Sequence, residues 1–266
     1  MENTIKLASM NFTPPQNGPI RETPPYSELA KVYDRMMAHV NYRQWADYVI
    51  AILKKEYLWP GRELLDIGCG TGRFLEEAER RGQLGDGCDP SPHMLKVARE
   101  RLGRSQFYQS ALPELPGVPA GAYQVFTCLY DTMNYLLDTA SVARALIRIF
   151  ENLRTPGLFI FDLVSEVNCR HYFHNYRDSD VLSETCAYYR ESRYDVAEKM
   201  QFNWIRVYSE EGIFQEEHRQ RIYDFDEIEA IILEHTHFEI RNIYGEFSFR
   251  RATPRSGRAH FVLKKS

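Results

Sequence analysis

The spacing of apolar positions changes along the chain. Between Tyr42 and Tyr57, Trp45, Val49, Leu53 and Tyr57 stand four apart, and Ala46, Ile50 and Ile52 widen the same face. That period predicts an amphipathic helix, ended by Pro60-Gly61. Ser27–Met37 reads as a shorter helix. A short apolar run, Glu63–Ile67, then reads as a strand, followed by a glycine-rich turn and a helix over Arg73–Arg81. A weak strand leads to Asp89, and Pro92 opens the next helix, proline being favoured in a first turn. Ser105–Gln109, Gln124–Tyr130 and Gly157–Val164 read as buried strands. A helix over Val142–Leu153 precedes the last of them, closed by Thr155-Pro156-Gly157. Strands alternating with helices imply a parallel sheet covered on both faces.

After residue 165 the rhythm breaks. Glu184–Tyr194, Met200–Ser209 and Ile213–Tyr223 have strand character with only turns between them, which predicts an antiparallel meander. Asp224-Phe225-Asp226-Glu227 has the form of a capping box with Asp224 as N-cap, and the helix Phe225–His235 follows. Phe238–Phe249 and Ala259–Lys264 read as closing strands. At the other end, Pro14, Pro15, Pro19, Pro24 and Pro25 fall within residues 1–25, which read as a flexible or extended tail.

Composition narrows the class. The 266 residues are 44% hydrophobic and 26% charged, values of a globular chain. A formal charge of −4 removes the main electrostatic argument for a nucleic-acid or anionic-membrane partner. The five cysteines form no CxxC pair, so a disulfide framework is not expected and a reducing compartment fits. No apolar run approaches the roughly 18 residues of a membrane span, and the N-terminus lacks the apolar region of a signal peptide. A cytoplasmic location is the expectation. His171-x-x-His174 has no companion ligand, so a loop role is expected and no metal. Arg250, Arg251, Arg255 and Arg258, near Pro254 and Gly257, read as a solvated hairpin loop.

The chemistry concentrates in Leu64-Leu65-Asp66-Ile67-Gly68-Cys69-Gly70-Thr71-Gly72, where a strand runs into three alternate glycines and then a helix. Glycine is needed where a ligand meets backbone or where φ is positive. Asp66 precedes the turn, and Asp89 ends the next strand. In a doubly wound sheet that second carboxylate faces the same crevice and can accept both hydroxyl hydrogens of a ribose. A P-loop would need Gly-Lys-Ser/Thr, which is absent. A pyrophosphate would be repelled by the acid beside the turn. A ligand carrying an ammonium and a sulfonium, such as S-adenosylmethionine (SAM), suits the carboxylates.

These residues resemble the class I SAM-dependent methyltransferases. Leu64–Phe74 (LLDIGCGTGRF) is similar to their first motif, and Gly87–Leu95 (GCDPSPHML) to their second. Leu153–Asp162 (LRTPGLFIFD) resembles the fifth-strand motif with one glycine missing. Cys128–Leu137 (CLYDTMNYLL) resembles a fourth-strand variant of small-molecule members. Tyr26–Asp34 with Tyr42 and Trp45, and Glu217–Tyr223, resemble further stretches of that group. The resemblance implies a Rossmann-like α/β sandwich with a mostly parallel seven-stranded sheet, an antiparallel last strand and an antiparallel β insertion. Residues 26–164 and 225–266 would form the SAM-binding domain. Residues 165–224 would be the insertion, covering substrate or serving as a dimer surface.

The resemblance assigns cofactor contacts to Asp66, Gly68, Cys69, Gly70, Gly72, Asp89, Pro90, Met94, Ser110, Ala111, Leu129, Tyr130 and Tyr33. Asp89 would hold the ribose, with Pro90 and Met94 on the adenine. Ser110 stands where many members have an aspartate. Methyl transfer from a sulfonium can rest largely on positioning, so no catalytic residue is required. Asp131, Asn134, Tyr33 and His218 are the candidates by location. Core packing is the simpler expectation for Trp45 and Tyr135. The expected activity is methyl transfer to a small molecule, an amine or a hydroxyl. Two other readings stay open: methylation of RNA or protein, and SAM binding without transfer.

Overall fold

A computed structural model of the chain describes residues 19–58 and 61–266. Pro14, Pro15 and Pro60 lie outside the described residues. The described residues open on a short strand, β1 (Ile20–Glu22), and their first long helix is α1 (Tyr42–Lys55). Then β2 (Leu64–Ile67), α2 (Arg73–Glu79), β3 (Asp86–Asp89), α3 (Pro92–Arg101), β4 (Phe107–Gln109), β5 (Tyr123–Cys128), α4 (Thr139–Asn152) and β6 (Leu153–Val164) alternate. Four strands follow without a long helix: β7 (Tyr176–Ser183), β8 (Cys186–Asp195), β9 (Met200–Ser209) and β10 (Gly212–Arg221). The chain ends in α5 (Phe225–His235), β11 (Glu239–Gly245) and β12 (Arg258–Lys265).

These strands make two sheets. The seven-stranded sheet has the order β11-β12-β6-β5-β2-β3-β4. Its ladders β2–β3, β3–β4, β2–β5 and β5–β6 are parallel, and β12 runs antiparallel to both neighbours. This is the Rossmann-like sandwich expected. The strand order reverses between β2 and β5, which opens a crevice at their carboxyl ends. The sheet is buried on both faces. Phe159 and Phe161 of β6 pack with Ile149 of α4 and Ile232 of α5. Leu158 and Ile160 point the other way, toward Leu53 of α1, Phe74 of α2 and Leu95 of α3.

The five-stranded sheet has the order β1-β10-β9-β8-β7. Its ladders are antiparallel except β1, which pairs parallel with β10 through Ile20↔Ile213. Ile20–Glu22, within the stretch expected as a flexible or extended tail, are therefore an edge strand. Residues 26–37 then cross between the two sheets. They form a 3₁₀ turn at Leu29–Lys31 and one α-turn at Tyr33–Met36, neither with a side-chain cap, in place of a continuous helix. Leu29, Val32, Met36 and Met37 pack on Tyr188, Ile205 and Val207 of the second sheet.

Three other expectations change. The meander gains a strand, β7, whose sequence YRDSDVLS carries no apolar alternation. Helix α4 ends at Asn152, and β6 begins at Leu153, before Pro156. Asp224 makes no side-chain cap to α5; its carboxylate accepts from Lys199 Nζ at 2.6 Å.

Candidate active site

The glycine turn begins where β2 ends. The N–H groups of Gly68 and Cys69 both donate to Cys88 O, at 2.8 and 3.0 Å, which ties the turn to β3. Gly68 has φ +73°, and a Cβ there would meet the Thr132 side chain at 2.5 Å, so only glycine fits. Gly70, at φ +53°, has open space where a side chain would stand. At the tip of β3, Asp89 accepts from Gly70 N–H at 3.0 Å and from Ser91 N–H at 2.9 Å. A carboxylate has about four lone-pair sites, so both oxygens keep capacity. Burial pushes the Asp89 carboxyl up to about 6, against the pull of those two N–H donors. Ser91 caps α3 by accepting from Met94 N–H at 3.2 Å, and donates to Tyr26 O at 2.7 Å.

A cavity of about 1160 Å³ opens over this turn. At one end it is lined by Gly68, Gly70, Asp89, Pro90, Met94, Ser110 and Ala111, with Leu129, Tyr130 and Tyr33 beside them. Ser110 is buried, and its hydroxyl has no partner. A buried polar group in that state is left for a ligand to satisfy. Open backbone at Gly70, spare carboxylate capacity at Asp89 and an unpaired hydroxyl at Ser110 fit a nucleoside ligand such as the adenosine of SAM.

At the other end the wall is the inner face of the second sheet. Period-two alternation sends Arg190 of β8, Gln201, Asn203 and Ile205 of β9, and His218 and Gln220 of β10 into the cavity. Gln201 stands opposite Gln220, and Asn203 opposite His218. Gln201 is 2% exposed, yet neither amide atom has a partner. Between the two ends lies the turn after β5. Tyr130 and Asp131 have φ +61° and +58°, and their N–H groups donate to Asp162 at 2.6 and 3.1 Å.

A family profile described as a methyltransferase domain matches residues 64–157. A Geobacillus sp. (strain WCH70) chain, whose name is that of a methyltransferase with no stated acceptor, is 28% identical over 251 residues, covering 90% of this chain and 99% of the relative. A solved SAM-dependent methyltransferase from Clostridium acetobutylicum superposes with a TM-score of 0.74 at 23% identity, covering 90% of this chain and 98% of that one. Residues 64–157 thus match a methyltransferase domain, and nine-tenths of the chain is similar to a methyltransferase. The crevice and the glycine turn therefore have a function to serve, and the residues around them can be sorted by where they stand in the methyltransferase.

Most of the expected cofactor residues meet in the main cavity; three do not. Asp66 is buried in the sheet and accepts from the Thr127 hydroxyl at 2.7 Å. Burial pushes its carboxyl up to about 7. Asp66 and Cys69 line a smaller recess of about 50 Å³ that shares Tyr33, Gly68, Gly70, Leu129 and Tyr130 with the main cavity. Gly72 lines neither; it is the N-cap of α2 at φ +79°, and a Cβ there would stand 3.1 Å from Leu102.

The catalytic candidates separate in the same way. Asn134 is fully buried and does not line the cavity. Its amide donates to Arg221 O at 2.7 Å and accepts from Val164 N–H at 3.2 Å, holding β6 against β10. Asp131 lines the cavity, but Arg258 Nη1 stands 2.7 Å from its Oδ1. Arg258 belongs to no solvated loop. It also pairs with Asp162, and its guanidinium lies 5.2 Å from the Trp45 ring and 5.4 Å from Tyr130. Trp45 is core, as expected. Tyr135 is not simply core: it lines the cavity, and its hydroxyl lies 3.1 Å from His218 Nδ1. Tyr33 and His218 line the cavity as well. Arg190, Gln201, Asn203 and Arg258 had no motif to mark them; strand alternation extended from His218 and Gln220 across the meander would have reached the middle two. Among the described residues no group of His, Cys, Asp and Glu is placed to hold a metal, and no helix is long and apolar enough to cross a membrane.

Proposed function

We propose that this methyltransferase modifies a small polar acceptor held between the crevice and the inner face of the second sheet. The observation that carries the proposal is one continuous cavity with glycine backbone, Asp89 and Ser110 at one end and the unpaired amide of Gln201 at the other. Bound SAM supplies an electrophilic methyl group on a sulfonium. In this reading Asp89 takes the ribose hydroxyls, Pro90, Met94 and Ala111 pack on the adenine, and Ser110 pairs with its edge. Gly68 and Gly70 admit the methionine portion, while Leu129, Tyr130 and Tyr33 close over it. Asp66, with Cys69, orders the turn from beneath. Residues 165–224 act as substrate cover.

Relatives support a small-molecule acceptor. The ubiquinone biosynthesis O-methyltransferase of Acinetobacter baylyi is 33% identical over 106 residues, covering 38% of this chain and 42% of that enzyme. A sugar N-methyltransferase from Streptoalloteichus sp. shares the fold with a TM-score of 0.69 at 19% identity, covering 95% of this chain and 97% of that one. The formal charge of −4 supports the absence of a nucleic-acid partner. The five free thiols support a cytoplasmic setting.

Calorimetric titration with S-adenosylhomocysteine (SAH) is the test. Asp89→Ala is expected to weaken binding at least tenfold, about 1.4 kcal/mol; no binding by the wild type would overturn the proposal. Tritiated-methyl transfer to a cell extract then reports the acceptor. Label in the small-molecule fraction supports this reading, and label only in macromolecules overturns it. Binding without transfer to any fraction also overturns it and leaves a SAM-binding protein.

A further inference from the structure

Four residues outside the cofactor motifs form one hydrogen-bonded line. Glu216 is fully buried on β10 with no Lys or Arg against it in the ion pairs of the described residues. Its carboxylate accepts from the N–H groups of Tyr26, Ser27 and Leu29 at 2.6, 3.1 and 2.9 Å. Three backbone donors therefore occupy both oxygens of this one side chain. His218 Nε2 lies 3.2 Å from the same carboxylate, an acceptor, so Nε2 carries a proton; in the neutral ring Nδ1 is then an acceptor. To that neutral ring the Tyr135 hydroxyl, 3.1 Å away, donates. The Tyr26 hydroxyl, 2.5 Å from that of Tyr135, must then donate to Tyr135 in turn. With the ring neutral, every bond in the line points toward the buried carboxylate, and the last free lone pairs belong to Tyr26.

Tyr26 is held on all sides. It has φ +61°, a strained region for a tyrosine. Its N–H is taken by Glu216 and its carbonyl by the Ser91 hydroxyl, two residues after Asp89. The His218 ring stands edge-on at 4.7 Å. Tyr26, Tyr135 and His218 all line the cavity. Burial raises both phenols, which keeps them protonated at neutral pH.

We propose that Tyr26, Tyr135 and His218 are a proton relay that deprotonates the methyl acceptor, with Glu216 as the positioning residue. The inference rests on the methyltransferase reading above and names the acceptor class: an O–H or N–H nucleophile. As the acceptor heteroatom gains the methyl group it loses its proton to Tyr26 Oη. The Tyr26 proton passes to Tyr135, and the Tyr135 proton to His218 Nδ1. The sulfonium charge is consumed, and the positive charge reappears on the imidazolium beside Glu216. Both tyrosines end as neutral phenols, so charge and atoms balance.

The experiment uses the full chain. Nitrogen-15 NMR of labelled histidine, with SAH present, is expected to show His218 protonated on Nε2. A proton on Nδ1 with a bare Nε2 would overturn the relay. Tyr26→Phe, Tyr135→Phe and His218→Gln should each reduce tritiated-methyl transfer to the small-molecule fraction at least 100-fold, with SAH affinity within about threefold of wild type. The double variant Tyr26→Phe/His218→Gln should be no slower than its worse single, because the residues act as one unit. Single variants within threefold of the wild-type rate, or losses that multiply, would overturn it. Failure of the wild type to bind SAH would fall on the cofactor site instead, and the tautomer still decides the relay.

Discussion

In the seven-stranded sheet Asp66, Asp89 and Asp162 are buried with their partners in place: Thr127, two backbone N–H groups, and Arg258 with two more. In the five-stranded sheet Gln201 is as deeply buried, yet its amide has no partner. These three carboxylates of the first sheet are satisfied within the chain and leave only spare lone pairs for a ligand. The second holds polar groups whose satisfaction has to come from outside the chain. Unpaired buried groups cost stability, so the contrast separates scaffold from recognition surface.

Removing a partner from one of the satisfied carboxylates should produce the largest effect. Arg258→Met leaves Asp162 and Asp131 without their cation at the turn that carries Tyr130. Breaking a buried ion pair from one side costs about 3–5 kcal/mol, and urea unfolding should show a loss of that size. A loss below about 1 kcal/mol would mean that the backbone N–H groups alone hold Asp162.

Asp66 gives the next largest effect, and its sign depends on pH. Burial raises its carboxyl from the ordinary 3.8 to about 7. Below pH 4 both folded and unfolded chains hold the proton. Between about pH 4 and 7 the unfolded chain has released it and the folded chain has not, so stability falls as pH rises through that window. Asp66→Asn removes the ionisation. The stability of the variant relative to wild type should therefore rise from pH 4 to 7, by roughly 3–4 kcal/mol. A pH-independent difference would place Asp66 in contact with solvent or a cation.

The same contrast explains what the sequence disclosed. The Rossmann half repeats a strand–turn–helix rhythm set by core burial, so its elements and glycine turn are readable from spacing. Even β3 looked weak only because Gly85 and Gly87 sit where a Cβ would press on Leu64 at 2.7 Å or Cys69 Sγ at 2.7 Å; close packing, not poor strand character, accounts for them. The insertion buries polar side chains, so periodicity of apolar residues says little there. β7 escaped notice for that reason, and so did Glu216, whose partners lie about 190 positions away in sequence. Arg258 was hidden by its neighbours: three exposed arginines made a fourth, buried one look like part of a loop.

In the recognition half, Gln201→Leu should separate stability from function. No hydrogen bond is lost, so folding stability should stay level or rise by about 1 kcal/mol. Methyl transfer to the small-molecule fraction should fall about tenfold, with SAH affinity unchanged. A drop in stability without a change in transfer would move Gln201 into the scaffold class.

The smallest effect is expected at the joint between the halves. Asp224 precedes α5 and has the spacing of a capping box, and a working N-cap there would cost about 1 kcal/mol on truncation to alanine. Its carboxylate instead accepts from Lys199, in the turn between β8 and β9, and makes no cap. The pair is solvent-exposed, with side-chain exposures of 38% and 66%, and such pairs contribute little. Asp224→Ala should therefore change the unfolding free energy by no more than about 0.5 kcal/mol. A loss of 1 kcal/mol or more, unaffected by Lys199→Met, would show that the carboxylate caps α5 in solution. A loss of that size that disappears in the Lys199→Met background would show that the insertion is fastened to α5 through this ion pair.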